Sequence, residues 1–118
     1  MTVVTTIDVY DMPNSEYRAV LDRMGVETQP EPGIYLHVTA QTDFGYRIIE
    51  IWDTEEGFEE FAQRRMLPAL EHLGIDRKTE ITVKPLHNLF APRLAELPHL
   101  VDGLPGAPGR EAERSGHG

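Results

Sequence analysis

The segment GYRIIEIWDTEEGFEEFAQRRMLPAL, Gly45 to Leu70, places charged side chains where apolar ones are expected. Glu50 interrupts an alternating, strand-like run, and Arg65 falls among phenylalanines and leucines at helical spacing. With Phe58 at zero and a turn of roughly 100° per residue, Phe61, Ala62, Met66, Ala69, Leu70 and Leu73 fill one broad arc. Arg65 lies inside that arc, between Phe61 and Phe58. A guanidinium there must find acceptors, because burying it unpaired is costly. Three outcomes are open. It could hold a substrate carboxylate or enolate in a cavity between helix and sheet. It could pair with a sheet carboxylate, Glu50 being the nearest choice, or it could carry its charged end out to solvent.

Two further acids and bases belong to this constellation. Asp8 and Glu50 fall by parity on one mixed face of two central strands, and adjacent strands are about 4.8 Å apart. Two carboxylates brought together in a dry site make a general acid or base. The alternative is that each pairs with Arg47, Arg65 or a cation of a partner subunit. In the catalytic reading Arg65 stabilises an enolate while Glu50 or His37 moves a proton. Tyr35, Tyr46 and Trp52, with Tyr10, could line a pocket for a planar ligand, or could pack in the core or a dimer interface. His87 and Asn88 close the set, Asn88 either orienting a ligand carbonyl or capping a local turn. His37 and His87 sit on the two edge strands, roughly 14 Å apart, too far to share an ion within one subunit. No metal site is therefore expected, and no sequence signature implies a cofactor: the chain has no Gly-rich phosphate loop, no HExxH and no GxSxG.

Composition narrows the classes further. The 118 residues suffice for one domain, and the absence of cysteine excludes disulfides, thiolate catalysis and cysteine zinc sites. Twenty acidic against eleven basic residues give a net charge of −9. That field repels phosphate backbones and anionic membrane surfaces, so neither nucleic acid nor membrane is an expected partner. No run approaches the roughly 20 apolar residues of a membrane span, and no signal-like N-terminus is present, so a cytoplasmic location is expected.

The elements that must position these residues read in the order β-α-β-β-α-β. Val3 to Tyr10 is β-branched and strand-like. Asn14 reads as the cap of a first helix that Gly25 ends, and Ile34 to Thr42 and Tyr46 to Trp52 read as strands around a turn at Asp43 to Gly45. Thr54 caps a second helix with Glu55 and Glu56 in its first turn, running to about Leu73 with a kink at Pro68 and a stop at Gly74. A fourth strand is expected over Glu80 to Phe90, where Pro85 suits an edge. This is the α+β, ferredoxin-like split βαβ arrangement: a four-stranded antiparallel sheet, order 4-1-3-2, with two helices on one face. Residues 1–92 form that domain, and residues 93–118 form a C-terminal arm and flexible tail.

Two helices cover only one face of such a sheet. Parity divides the strands into an aliphatic face (Val3, Ile7, Val9, Ile49, Ile51, Leu36, Val38) and a mixed face (Tyr10, Tyr46, Glu50, Trp52, Tyr35, His37). Either is too apolar for easy exposure, and a homodimer through the sheets resolves this. The stretch YRIIEIWDTEEGFEEF, with Glu50, Trp52, the acidic helix start after Thr54, and Phe58, resembles the strand-helix signature of the dimeric α+β-barrel superfamily, in particular antibiotic-biosynthesis-monooxygenase-like domains. RRMLPALEHLGI and VKPLHNLFAP resemble small barrel proteins of the same kind, so the resemblance covers residues 3 to 92. It implies a dimeric barrel whose relatives include cofactor-free oxygenases, haem-degrading enzymes, isomerases, cyclases and stress proteins. Phe61 stands where the monooxygenase signature tends to carry histidine.

Two functions follow as expectations. One is a small-molecule enzyme of specialised metabolism, a cofactor-free oxygenase or cyclase/isomerase on an aromatic or polyketide-like ligand. The other is a non-catalytic dimeric binding or stress-related module. The enzyme requires an enclosed pocket beside Arg65, and the module does not. For the C-terminal region, LAELPHLV carries enough leucine and valine to seek burial, whereas the last dozen residues carry almost none. Deleting residues 107–118 should leave the melting temperature nearly unchanged, and truncation at Ala91 should lower it. Calorimetry of the two truncated chains checks the division.

Overall fold

Valine, threonine and isoleucine fill Val3–Tyr10, and this stretch forms β1 with Val3, Thr5, Ile7 and Val9 buried on one side. The computed structural model describes residues 1–101; the expected tail from residue 107 onward lies outside them. After β1 come α1 (Asn14–Met24), β2 (Ile34–Gln41), β3 (Gly45–Trp52), α2 (Glu55–Phe61), α3 (Leu67–Leu73) and β4 (Thr79–Pro85). The strands run antiparallel in the order β2-β3-β1-β4, which is the expected 4-1-3-2 with its ferredoxin-like connectivity. Among the described residues, no helix is long and apolar enough to cross a membrane.

Several element ends differ from the sequence expectation, each for a local reason. Helix α1 takes Pro13 as its N-cap, and the Asn14 side chain instead accepts a hydrogen bond from the Tyr46 hydroxyl at 2.9 Å. Strand β4 stops at Pro85, well short of Phe90. Leu86 N–H still reaches the Thr2 carbonyl at 2.9 Å, after which His87 and Asn88 leave the sheet. The second helix is not continuous. Between α2 and α3 the residues Ala62–Met66 open into one π-turn, closed by Leu67 N–H bonding back to the Ala62 carbonyl. The wide turn lies immediately before Pro68, which has no N–H for the Arg64 carbonyl and whose ring crowds it.

The register decides which residues share a face. Val3 lies opposite Trp52, Thr5 opposite Glu50, Ile7 opposite Ile48 and Val9 opposite Tyr46. The aliphatic side of β1 therefore joins the mixed side of β3, and both lie under the helices. This corrects the parity grouping: Asp8 and Glu50 are on opposite faces, because Asp8 lies opposite Arg47. A one-residue difference in register exchanges the two sides of a strand, and β1 is β-branched on both. Gly45 helps hold the observed register. A Cβ there would stand 2.1 Å from the Val9 carbonyl oxygen, so only glycine lets β3 begin beside the end of β1. The core under the helices is aromatic: Trp52, 1% exposed, meets Phe58 with ring centres 6.0 Å apart and Phe61 at 5.3 Å.

The opposite side of the sheet carries Val4, Thr6 and Asp8 of β1, Ile49 and Ile51 of β3, and Leu36 and Val38 of β2. Val38 is 48% and Ile49 37% exposed. From Asn88 the chain forms a second unit. Its described part holds one short 3₁₀ helix, Leu94–His99, with the Arg93 guanidinium on the Glu96 carboxylate at 2.5 and 2.7 Å. The apolar sheet side generates a prediction. At micromolar concentration, sedimentation should report twice the 13.3 kDa chain mass, and Ile49→Arg, which puts a charge in the middle of that side, should return the monomer.

Candidate functional site

Glu50 sits in the middle of β3, facing Thr5 on β1 and His37 on β2 across the same rung of the sheet. It is 4% exposed, and a carboxylate so placed needs partners. It has two. Oε2 lies 2.7 Å from His37 Nδ1, and Oε1 accepts from Trp52 Nε1 at 2.9 Å. Trp52 is two residues further along the same strand, so strand alternation alone puts its indole on the same side. A carboxylate only accepts, so His37 donates to it from Nδ1, and Nε2 is turned the other way.

Nε2 has a hydroxyl opposite it. The Tyr17 oxygen lies 3.0 Å from His37 Nε2 and 3.0 Å from Thr39 Oγ1. Tyr17 comes from α1, and its ring stacks on Tyr46 with centres 4.7 Å apart and planes at 13°. Burial pushes the Tyr17 phenol above its ordinary value, so it remains a proton-bearing donor. The result is one chain of contacts, Trp52–Glu50–His37–Tyr17–Thr39. Exposure rises from the Glu50 side chain, at 6%, to that of His37, at 31%. On the other flank of Glu50, the Thr5 hydroxyl is fully buried with no hydrogen-bond partner among the described residues. A carboxylate-backed imidazole is an arrangement that can serve as a general base.

Of the residues singled out from sequence, Glu50, His37, Trp52 and Tyr46 come together here. Asp8 does not: it lies on the other side of the sheet in a two-point pair with Arg47 at 2.8 and 3.0 Å, which lowers its carboxyl pKa. Tyr35 is 69% exposed at a bulge between Ile34 and Leu36, His87 is exposed beyond β4, and Asn88 Oδ1 accepts from Leu89 N–H at 2.9 Å. Sequence reasoning missed Tyr17, Thr39 and Thr5. Thr39 follows from alternation with His37. Tyr17 had no local signal, because its partner is 20 residues away.

Arg65 is engaged elsewhere. Its guanidinium donates to the Met24 carbonyl, to the Gln29 carbonyl at 2.9 Å and to Glu31 at 2.9 Å, and Arg64 reaches the same carboxylate at 2.7 Å. The regular turn per residue assumed from sequence fails inside the π-turn, which aims Arg65 at the end of α1 and the loop after it rather than at Glu50. A cleft of about 510 Å³ lies between α3 and the ends of β1 and β4, lined by Val9, Met12, Leu67, Leu70, Ile75 and Thr79. It does not border Arg65, Glu50 or His37.

No protein-family model matches the chain, and no curated protein matches it. Solved structures do. A point variant of SnoaB from Streptomyces nogalater, described as a cofactor-independent oxygenase, is 18% identical, covers 75% of this chain and 94% of its own, and superposes with a TM-score of 0.55. Rv0793 from Mycobacterium tuberculosis is 23% identical over 78% and 99% of the two chains, with a TM-score of 0.54. The de novo designed protein Foldit4 is 18% identical over 74% and 100%, with a TM-score of 0.52. The chain thus shares its fold with these proteins. A designed protein of the same fold makes plain that the fold by itself assigns no reaction.

The placement of Arg65 has a measurable consequence. Arg65→Met should cost about 2 kcal/mol, the scale of hydrogen bonds to a charged group, and Glu50→Gln should not restore it. The Arg65 bond, then Arg64, holds the Glu31 carboxyl below its ordinary value of 4.5. A lowered folded-state pKa gives stability that is present above the unfolded value and lost as pH falls through the folded one. The deficit of Glu31→Gln in urea melts should therefore be full at neutral pH and fade in acid.

Proposed function

We propose that the protein is a homodimer that binds and transforms a small molecule by proton transfer, with Glu50 and His37 as the base and no cofactor required. The single observation that carries this is the buried Glu50 carboxylate bound to His37 Nδ1, which leaves Nε2 as an acceptor near the β2 edge. The substrate class is an aromatic or polyketide-like compound, and the reaction is a cofactor-free oxygenation or a cyclisation/isomerisation, each of which begins by removing a proton. The fold shared with a protein described as a cofactor-independent oxygenase supports that class. Trp52 holds the Glu50 carboxylate in place, and Tyr46 stacks on Tyr17 beside it. Arg65 is left with an architectural role. The alternative, a dimeric binding module without catalysis, is favoured by one observation: the 510 Å³ cleft does not border Glu50 or His37.

The test is a panel of aromatic polyketide-like compounds, screened by ligand-induced thermal shift and then followed for turnover under air and under nitrogen. At least one compound should stabilise the protein and be consumed. His37→Gln should keep the fold while turnover falls roughly 10²–10⁴-fold, the usual contribution of a positioned base. Stabilisation without turnover in the wild type, or equal turnover in the variant, selects the binding module.

A further inference from the structure

We propose that the 510 Å³ cleft between α3 and the ends of β1 and β4 binds an amphipathic cation, an apolar body that carries one protonated amine. Its volume falls within the roughly 300–1,000 Å³ of small-molecule sites. The walls are apolar. Val9 and Met12 are buried there, Leu70 and Ile75 are half-buried, and Leu67 stands exposed at the edge. Such a surface gains from being covered, and the unbranched Met12 thioether adapts to an irregular occupant.

The charges at the edge select the head of the ligand. Glu71, Asp76 and Arg77 border the cleft. The Arg77 guanidinium is occupied by Glu16, at 2.9 and 2.7 Å, and this bond, with a smaller contribution from the Asp11 charge, raises the Arg77 pKa. Glu71 and Asp76 enter no ion pair among the described residues. The next cation along the chain, Lys78, lies over the Tyr10 ring at 4.9 Å and does not line the cleft. Counting the two that act on Arg77, four carboxylates stand in or next to the cleft against one guanidinium. Helix α3 adds to the same sign: Glu71 belongs to its last turn and Gly74 caps it, and the carbonyl end of a helix favours positive charge. A carboxylate ligand would have to displace Glu16 from Arg77, and a neutral one gains nothing from the edge. An amine finds two acceptors already free.

The cleft borders neither Glu50 nor His37, so this site stands or falls separately from the base. The probes are octylamine, octanol and octanoate, one chain with three heads, titrated into the full chain and followed by calorimetry and methyl NMR. Octylamine should bind most tightly and octanoate least, with shifts concentrated on Val9, Met12, Leu67, Leu70 and Ile75. Glu71→Gln combined with Asp76→Asn, both at exposed positions, should weaken octylamine roughly fivefold, the scale of two exposed ion pairs, and leave octanol unchanged. Because the whole chain carries a net charge of −9, Glu59→Gln combined with Glu60→Gln serves as the control. It removes the same charge from the exposed side of α2 and should leave octylamine binding as it was, as should His37→Gln. Octylamine that does not bind, shifts confined to other methyls, or equal affinity for the three probes overturns the proposal. Equal weakening by the two double variants also overturns it, since the long-range field would then be the cause. A loss on His37→Gln overturns it too, by placing the amine at the other site.

Discussion

Everything around the candidate site answers to one constraint: a carboxylate has been placed in the middle of a sheet and under a layer of helices. Left alone, such a group would be expelled or would lose its charge. Here two donors of fixed geometry hold it, an indole from its own strand and an imidazole from the next. Each partner imposes a further requirement. Trp52 must be buried at the same level, and Phe58 and Phe61 enclose it there. His37 must present Nδ1 inward, which turns Nε2 outward and calls for a hydroxyl on the facing helix. The aromatic core and the polar relay are thus one arrangement seen from its two ends.

Some of this is plain in the sequence. Glycine and proline punctuation, β-branched runs and the acidic start after Thr54 are enough for element order and sheet topology. Glu50 and His37 are conspicuous because a charge and an imidazole interrupt apolar strands. What stays hidden depends on relations between elements. Parity divides each strand into two sides but does not say which side of β1 meets which side of β3. It therefore groups Asp8 with Glu50, although the two lie on opposite faces. Tyr17 looks like any aromatic at helical spacing, since its role exists only once α1 is laid over β2.

Arg65 is the instructive exception. Its position points it into the core for as long as the helix stays regular. One extra residue in a turn advances everything after it by about 100°, and the π-turn before Pro68 supplies that residue. A charge among apolar residues at helical spacing can therefore mark a break in the helix as readily as a polar site beneath it.

Helix α1 is seated at three places along its length: Asn14 by the Tyr46 hydroxyl, Tyr17 by His37 and Thr39, and the Met24 carbonyl by Arg65. A rod held at both ends, and again one turn in from the first, has little freedom to roll or slide. The Tyr17 phenol is thereby kept beside the imidazole. The same seating makes the helix a mechanical link. Slackening either end would lengthen the Tyr17–His37 contact without any change to Glu50, His37 or Trp52.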